Sequence, residues 1–232
     1  MRILGLDTAT WKASVGILVD GQVVGEQSRD ADGNHAVSLL PLIDEVLSAA
    51  SYQARDIDVI AVSGGPGSFT GLRIGFSVAK GLAWATGARV IAVPTLEALA
   101  RTVADHEGTI CALLDARKGE LYCACFAAAG GTWKRLMPDS LVTPQGLLDR
   151  LPTPCVIVGD AVVAYGTFLR EELGARVTVF PFETHGPRGG VIASMAWQRL
   201  QAGEHPADLS AMEPFYIRRS EAELNYSPMP VR

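Results

Sequence analysis

The feature that most restricts the fold is a pattern of strands that occurs twice. Ile3–Leu6 reads as a short buried strand closed by Asp7. Ser14–Val19 and Val23–Gln27 follow, joined at Asp20-Gly21, a dipeptide that accepts the positive φ angles of a tight hairpin turn. Helices and strands then alternate. Asp32-Gly33-Asn34 is a turn with Asn34 as N-cap, and apolar residues at 36, 39, 40, 43, 46, 47 and 50 give a helix over His35–Ser51. Ile57–Ser63 is a continuous apolar strand, as in a sheet covered on both faces. A loop over Gly64–Thr70, a helix over Gly71–Thr86, a strand over Val90–Val93 and a helix over Thr95–Ala104 complete this half. At Thr109 the pattern restarts. Ile110–Leu114 closes on Asp115, Leu121–Ala127 returns after the Ala116–Gly119 turn, and Thr132–Leu136 follows Gly130-Gly131. Helices near Pro144–Arg150, Ala161–Leu173 and Gly190–Gln201 then alternate with strands at Val156–Val158 and Val177–Phe180. Two similar α/β lobes, 1–104 and 105–232, fit this better than one doubly wound sheet.

Composition narrows the function classes. With 232 residues, 48% of them hydrophobic, the chain can bury a core in each lobe. A net charge of −5 argues against a chain that binds nucleic acid mainly by releasing counterions, so any dealings with RNA need basic surface from elsewhere. The four cysteines (Cys111, Cys123, Cys125 and Cys155) include no Cys-x-x-Cys pair and read as buried free thiols in a reducing compartment. Asp7 interrupts the first apolar run, against a signal peptide, and no apolar window approaches the ~20 residues of a membrane helix. The expectation is a cytoplasmic protein without a membrane.

Four constellations bear on chemistry. The run Gly64-Gly65-Pro66-Gly67-Ser68-Phe69-Thr70-Gly71 leaves a buried strand and opens a helix, where backbone N–H groups can face an anion. It matches neither a Walker loop nor Gly-x-Gly-x-x-Gly, because Thr70 stands in the last glycine's place. A purely structural strand-to-helix turn is the other reading. Asp7 and Asp115, each closing the first strand of its half, could hold a magnesium nucleotide and a base in a shared cleft, as in actin-like phosphotransferases. Alternatively, each starts its turn through its own backbone bonds. His35 lies on a helix where a second His at i+4 would complete a metal half-site, but that position is Leu39. Helix 71–86 carries a wide apolar arc and a ridge of small residues, Gly71, Gly75, Ala79 and Ala83, suited to close approach of another helix. Its bulkier arc (Ile74, Val78, Leu82 and Ala85) is expected on the lobe's own sheet.

Taken together, Ile3-Leu4-Gly5-Leu6-Asp7-Thr8-Ala9-Thr10, Leu39-Leu40-Pro41 after His35, and Gly65-Pro66-Gly67-Ser68-Phe69-Thr70-Gly71-Leu72-Arg73-Ile74-Gly75 resemble the bacterial TsaB (YeaZ) family. Thr95–Ala100, Asp115-Ala116-Arg117-Lys118-Gly119-Glu120-Leu121-Tyr122 and Pro214-Phe215-Tyr216-Ile217-Arg218 continue the match, which is dense over residues 3–125 and thin over 130–205. The resemblance implies an actin/Hsp70-like (ASKHA) fold, α/β with two lobes, each a mixed sheet flanked by helices. It also implies a non-catalytic subunit of the complex that forms N6-threonylcarbamoyladenosine at position 37 of ANN-decoding tRNAs. The implied partners are a TsaD-type transferase subunit and a TsaE-type ATPase, with tRNA reached only through the complex; for the chain alone, homodimer and monomer both stay open.

On this reading the dimer interface takes Leu39, Leu40, Ile43 and Leu47 from the first helix and Leu72, Gly75, Phe76, Ala79 and Ala83 from the second. No cofactor or metal is resident. Any weak ATP or ADP binding would fall at or near the partner interface, with Asp7, Thr8, Gly65, Gly67, Ser68, Thr70 and Asp115 as the nucleotide or anion residues. The rivals are a small phosphotransferase or ATPase using Asp7, Asp115 and the glycine loop, and a metallopeptidase, which the missing second histidine opposes.

Overall fold

The computed structural model describes residues 1–31, 34–103, 105–206 and 208–218. The expected turn residues Asp32 and Gly33, and the tail beyond Ala222, lie outside them. The first half forms β1 (Arg2–Asp7), β2 (Lys12–Val19), β3 (Gln22–Asp30), α1 (His35–Ala49), β4 (Val59–Ser63), α2 (Phe69–Thr86), β5 (Arg89–Val93) and α3 (Thr95–Arg101). The second forms β6 (Gly108–Arg117), β7 (Glu120–Ala129), β8 (Thr132–Val142), α4 (Pro144–Leu148), β9 (Cys155–Val158), α5 (Ala161–Leu173), β10 (Val177–Val179), α6 (Phe182–His185) and α7 (Gly189–Gln201). Each half builds a five-stranded sheet of the same order, β3-β2-β1-β4-β5 and β8-β7-β6-β9-β10. In each, the first three strands are antiparallel and the last two join in parallel. Asp20 and Gly21 both take positive φ, 48° and 88°, as the hairpin requires.

Alternation along β1 shows why the strands are apolar throughout. Leu4 and Leu6 face α1 and α2, whereas Ile3 faces α7. Gly5 and Gly16 make that second contact close. A Cβ on Gly5 would lie 2.0 Å from the Gly189 carbonyl oxygen, and one on Gly16 2.2 Å from the Gly190 nitrogen. The Gly189 amide donates to Ser14 Oγ at 2.9 Å, satisfying the first turn of α7. So α7, which falls after the 104/105 boundary, covers the first sheet. Conversely, α3 places Leu96, Leu99 and Ala100 on the second sheet against Ile110, Ala112 and Leu114. The lobes exchange helices. The other face of the second sheet packs α4 and α5 through Leu147, Leu169 and Leu173.

Three local expectations need correction. Asn34 stands at the N-cap of α1 without a side-chain cap bond. The second helix opens at Phe69, because the Ser68 hydroxyl accepts the Gly71 amide at 3.2 Å and caps it there. Cys125 is not a free thiol. It faces Cys111 directly across β6–β7 and is disulfide-bonded to it, leaving Cys123 and Cys155 as buried thiols whose pKa values burial raises to about 11.

The largest correction falls on the expected interface. Leu39, Ile43 and Leu47 on α1, and Leu72, Gly75, Phe76, Ala79 and Ala83 on α2, are all buried in the chain's own core. The reason is backbone approach. A Cβ on Gly71 would meet the Thr8 carbonyl oxygen at 2.0 Å, and one on Gly75 would meet Thr8 Oγ1 at 2.4 Å. The small-residue ridge therefore admits the turn after β1, not another helix, and leaves Ile74, Val78 and Leu82 half-buried against the core and Ala85 exposed. Of the nominated residues only Leu40 stands out, 51% exposed, and α2 adds Trp84 at 86%.

Candidate functional site

Both first strands run into turns at a cleft between the lobes, a cavity of about 770 Å³. Thr10 and Trp11 line it from the first turn, Gly67–Thr70 and Arg73 from the glycine loop and α2, and Asp115–Lys118 from the β6–β7 turn. His35, Asp160, Tyr216 and Arg218 complete it. Of the expected nucleotide residues, Gly67, Ser68, Thr70 and Asp115 reach the cleft; Asp7, Thr8 and Gly65 lie outside its lining.

The strand-ending carboxylates turn the chain. Asp7 Oδ1 accepts the Ala9 amide at 2.9 Å, and Asp115 Oδ1 accepts the Arg117 amide at 2.8 Å. Asp7 is fully buried, and this pushes its carboxyl up to about 6 despite the bonds from Ala9 and Ser63. Asp160 was not among the expected residues. Its Oδ1 accepts the Asp115 amide at 2.8 Å, and burial lifts it to about 7, with the charges of Asp115 and Asp7 adding to the push. The repeat held the clue to it. Asp160 follows Gly159 after β9, the position that Gly64-Gly65 holds after β4.

Three amides of the glycine loop are bonded within the chain. Gly64 donates to the Val93 carbonyl at 2.7 Å, Gly65 to Thr95 Oγ1 at 3.0 Å and Ser68 to the Ala9 carbonyl at 2.7 Å. Gly65, at φ +110°, lies against residue 215, and a Cβ there would sit 2.2 Å from the Phe215 carbonyl oxygen. A Cβ on Gly67 would meet the Ala9 carbonyl oxygen at 2.6 Å. These glycines are required by the chain's own backbone.

His35 is 6% exposed, and burial lowers its pKa against hydrogen bonding toward the Thr10 and Lys12 carbonyls. Its Nε2 has no hydrogen-bond partner among the described residues. Leu39, one turn on, is fully buried in the core, and no group of three or more His, Cys, Asp or Glu among the described residues could hold a metal ion. At the cleft mouth the Arg73 guanidinium lies 3.8 Å over the Phe69 ring and donates from Nε to the Tyr216 hydroxyl at 3.2 Å. Arg117 and Lys118, at φ 62° and 55°, form a positive-φ turn beside it. No described helix is long and apolar enough to cross a membrane.

Comparison with known proteins agrees with this architecture. The family model described as TsaD, tRNA N6-adenosine threonylcarbamoyltransferase, matches residues 22–226. The chain is 34% identical over 228 residues to the tRNA threonylcarbamoyladenosine biosynthesis protein TsaB of Escherichia coli, covering 96% of each. A solved structure from Pseudomonas aeruginosa, described as an uncharacterized protein with similarity to peptidase YeaZ, superposes with TM-score 0.78 at 27% identity, over 94% of this chain and 99% of that one. The activator of 2-hydroxyisocaproyl-CoA dehydratase from Clostridium difficile, solved with bound ADPNP, has TM-score 0.53 at 13% identity, over 90% of this chain and all of that one. That likeness is one of fold, and the two-lobed sheet order is that of the actin/Hsp70-like (ASKHA) proteins. With so close a match along nearly its whole length, the chain belongs to the TsaB (YeaZ) family.

Proposed function

We propose that the chain serves tRNA threonylcarbamoyladenosine formation as a non-catalytic subunit that docks on a TsaD-type transferase. The observation that carries a place in this pathway is the nearly full-length match to the E. coli TsaB. Support for the non-catalytic role comes from the cleft: Asp7 and Asp115 are engaged in their own turns, and His35 has a core leucine where a second metal ligand would stand. For docking, the apolar surface left open on α1 and α2 is Val37, Leu40 and Trp84, with Ile74, Val78 and Leu82 half-buried beside them. Large exposed side chains on two packed helices are what a partner helix pair buries.

Reconstitution tests both parts. The pure chain should form no modified tRNA alone, and omitting it from a mixture of synthase, transferase and ATPase should abolish modification. Trp84→Glu should stay folded by circular dichroism, weaken co-elution with the transferase at least tenfold and depress modification in parallel. A folded Trp84→Glu variant that pairs with wild-type affinity would place the docking face elsewhere. For the phosphotransferase reading, ATP turnover by the pure chain that is lost in Asp115→Ala would overturn the non-catalytic assignment.

A further inference from the structure

The last described residues cross from one lobe to the other over the mouth of the cleft. Met212 is buried in the core between the first sheet and α1–α2. Three residues on, the Phe215 amide donates to the Gly64 carbonyl at 2.7 Å, and its own carbonyl lies against Gly65. Tyr216 packs against Phe69 with ring centroids 4.9 Å apart and the rings tilted by 38°. Ile217 then packs into the core of the second lobe, against α3 and the second sheet. Arg218 ends the crossing with a two-point grip, its Nη1 on the Ala116 carbonyl at 2.9 Å and its Nη2 on the Glu120 carboxylate.

We propose that residues 212–218 are a latch that holds the two lobes at one angle, with the chain's own backbone spanning the cleft between them. Five anchors, three on the first lobe and two on the second, restrain rotation far more than one, because those on one lobe must be released before the lobes can separate. The Arg218 end is the link that a single side-chain substitution can break. It is charge-assisted and partly shielded from water, with side-chain exposures of 22% for Arg218 and 35% for Glu120. Elsewhere α3 and α7 each pack on the sheet of the other half.

The test uses the full chain and hydrogen–deuterium exchange read by mass spectrometry, with small-angle scattering alongside. Arg218→Ala should raise deuterium uptake rates at least tenfold in peptides covering 63–67, 115–120 and 213–218. Peptides from β1 and α7 should keep wild-type rates, and the radius of gyration should increase. Uptake that rises only within 213–218, leaving 63–67 and 115–120 as in wild type, would show a strap that lies on the lobes without holding them. If Arg218→Ala does not fold, Glu120→Gln leaves the Ala116 contact in place and should give the same pattern at about threefold. Wild-type rates in Glu120→Gln, under those circumstances, would overturn the latch. Adding magnesium ATP to the wild-type chain should leave the radius of gyration unchanged; compaction would mean that a ligand, not the strap, sets the angle.

Discussion

Asp160 is the single residue whose chemistry departs furthest from its ordinary state. Its carboxyl titrates near 7 in the folded chain against 3.8 when solvated, so between those values the folded state binds more protons than the unfolded one. Its contribution therefore favours folding at low pH and turns unfavourable as pH rises through about 4 to 7. At about 1.4 kcal/mol per unit, the ionised carboxylate costs on the order of 2–4 kcal/mol above neutrality. Asp160→Asn keeps an acceptor for the Asp115 amide and removes that charge. The variant should be more stable at pH 8 by a sizeable part of this amount and should show a flatter stability curve between pH 5 and 8. Urea unfolding across that range would measure it, and a slope identical to wild type would refute the placement of the charge. Two glycines give a second contrast. Gly71→Ala drives a methyl into the Thr8 carbonyl and should cost about 2–3 kcal/mol. Gly81→Ala has nothing within 4 Å to strike and should gain about 0.5–1 kcal/mol from helix propensity. Thermal melts of the two variants should shift in opposite directions.

At the scale of elements, α2 separates what a sequence states from what it leaves open. Its C-terminal end at Thr86 and its wide apolar arc are legible, because periodicity is local, whereas its start at Phe69 is set by the Ser68 cap that the apolar pattern does not mark. Which arc faces inward is not legible, because both are apolar and side-chain bulk is a poor guide. The decision rests on Thr8, far off in sequence, whose carbonyl oxygen crowds Gly71 and whose hydroxyl crowds Gly75 so closely that neither position has room for a Cβ. An Ala79→Glu substitution accordingly tests the core rather than an interface. Ala79 is fully buried among the side chains between α2 and its sheet, so an unpaired carboxylate there should cost several kcal/mol and abolish the folded circular dichroism signal. A folded Ala79→Glu variant would mean that the arc assignment is reversed. The cysteines carry the same lesson. The i, i+2 spacing of Cys123 and Cys125 places both on one face of a strand, but the cross-strand register that sets Cys125 on Cys111 depends on the pairing of two strands.

For the molecule as a whole, the duplicated strand order was legible because it is written in local turns and apolar runs on each side of residue 108. The exchange of α3 and α7 was not, since nothing in an amphipathic helix names the sheet it will cover. Residues 1–104 therefore lack part of their own fold: the face built on Ile3, Leu18, Val59 and Ala61 needs Ile192, Ala193 and Ala196 from α7. Expressed alone, that fragment should aggregate or give a poorly dispersed amide spectrum, and a dispersed, cooperatively melting fragment would contradict the shared core.

The same exchange sets an order on biosynthesis. Every strand of the first sheet is complete once β5 has been made, yet its covering helix α7 ends only at Gln201. At roughly 5–20 residues per second, translation leaves that apolar face uncovered for about 5–20 s while the second lobe is being made. A nascent chain of this protein carries, for that interval, a ready substrate for chaperones that bind exposed strands, and slow codons between β5 and α7 would lengthen its exposure.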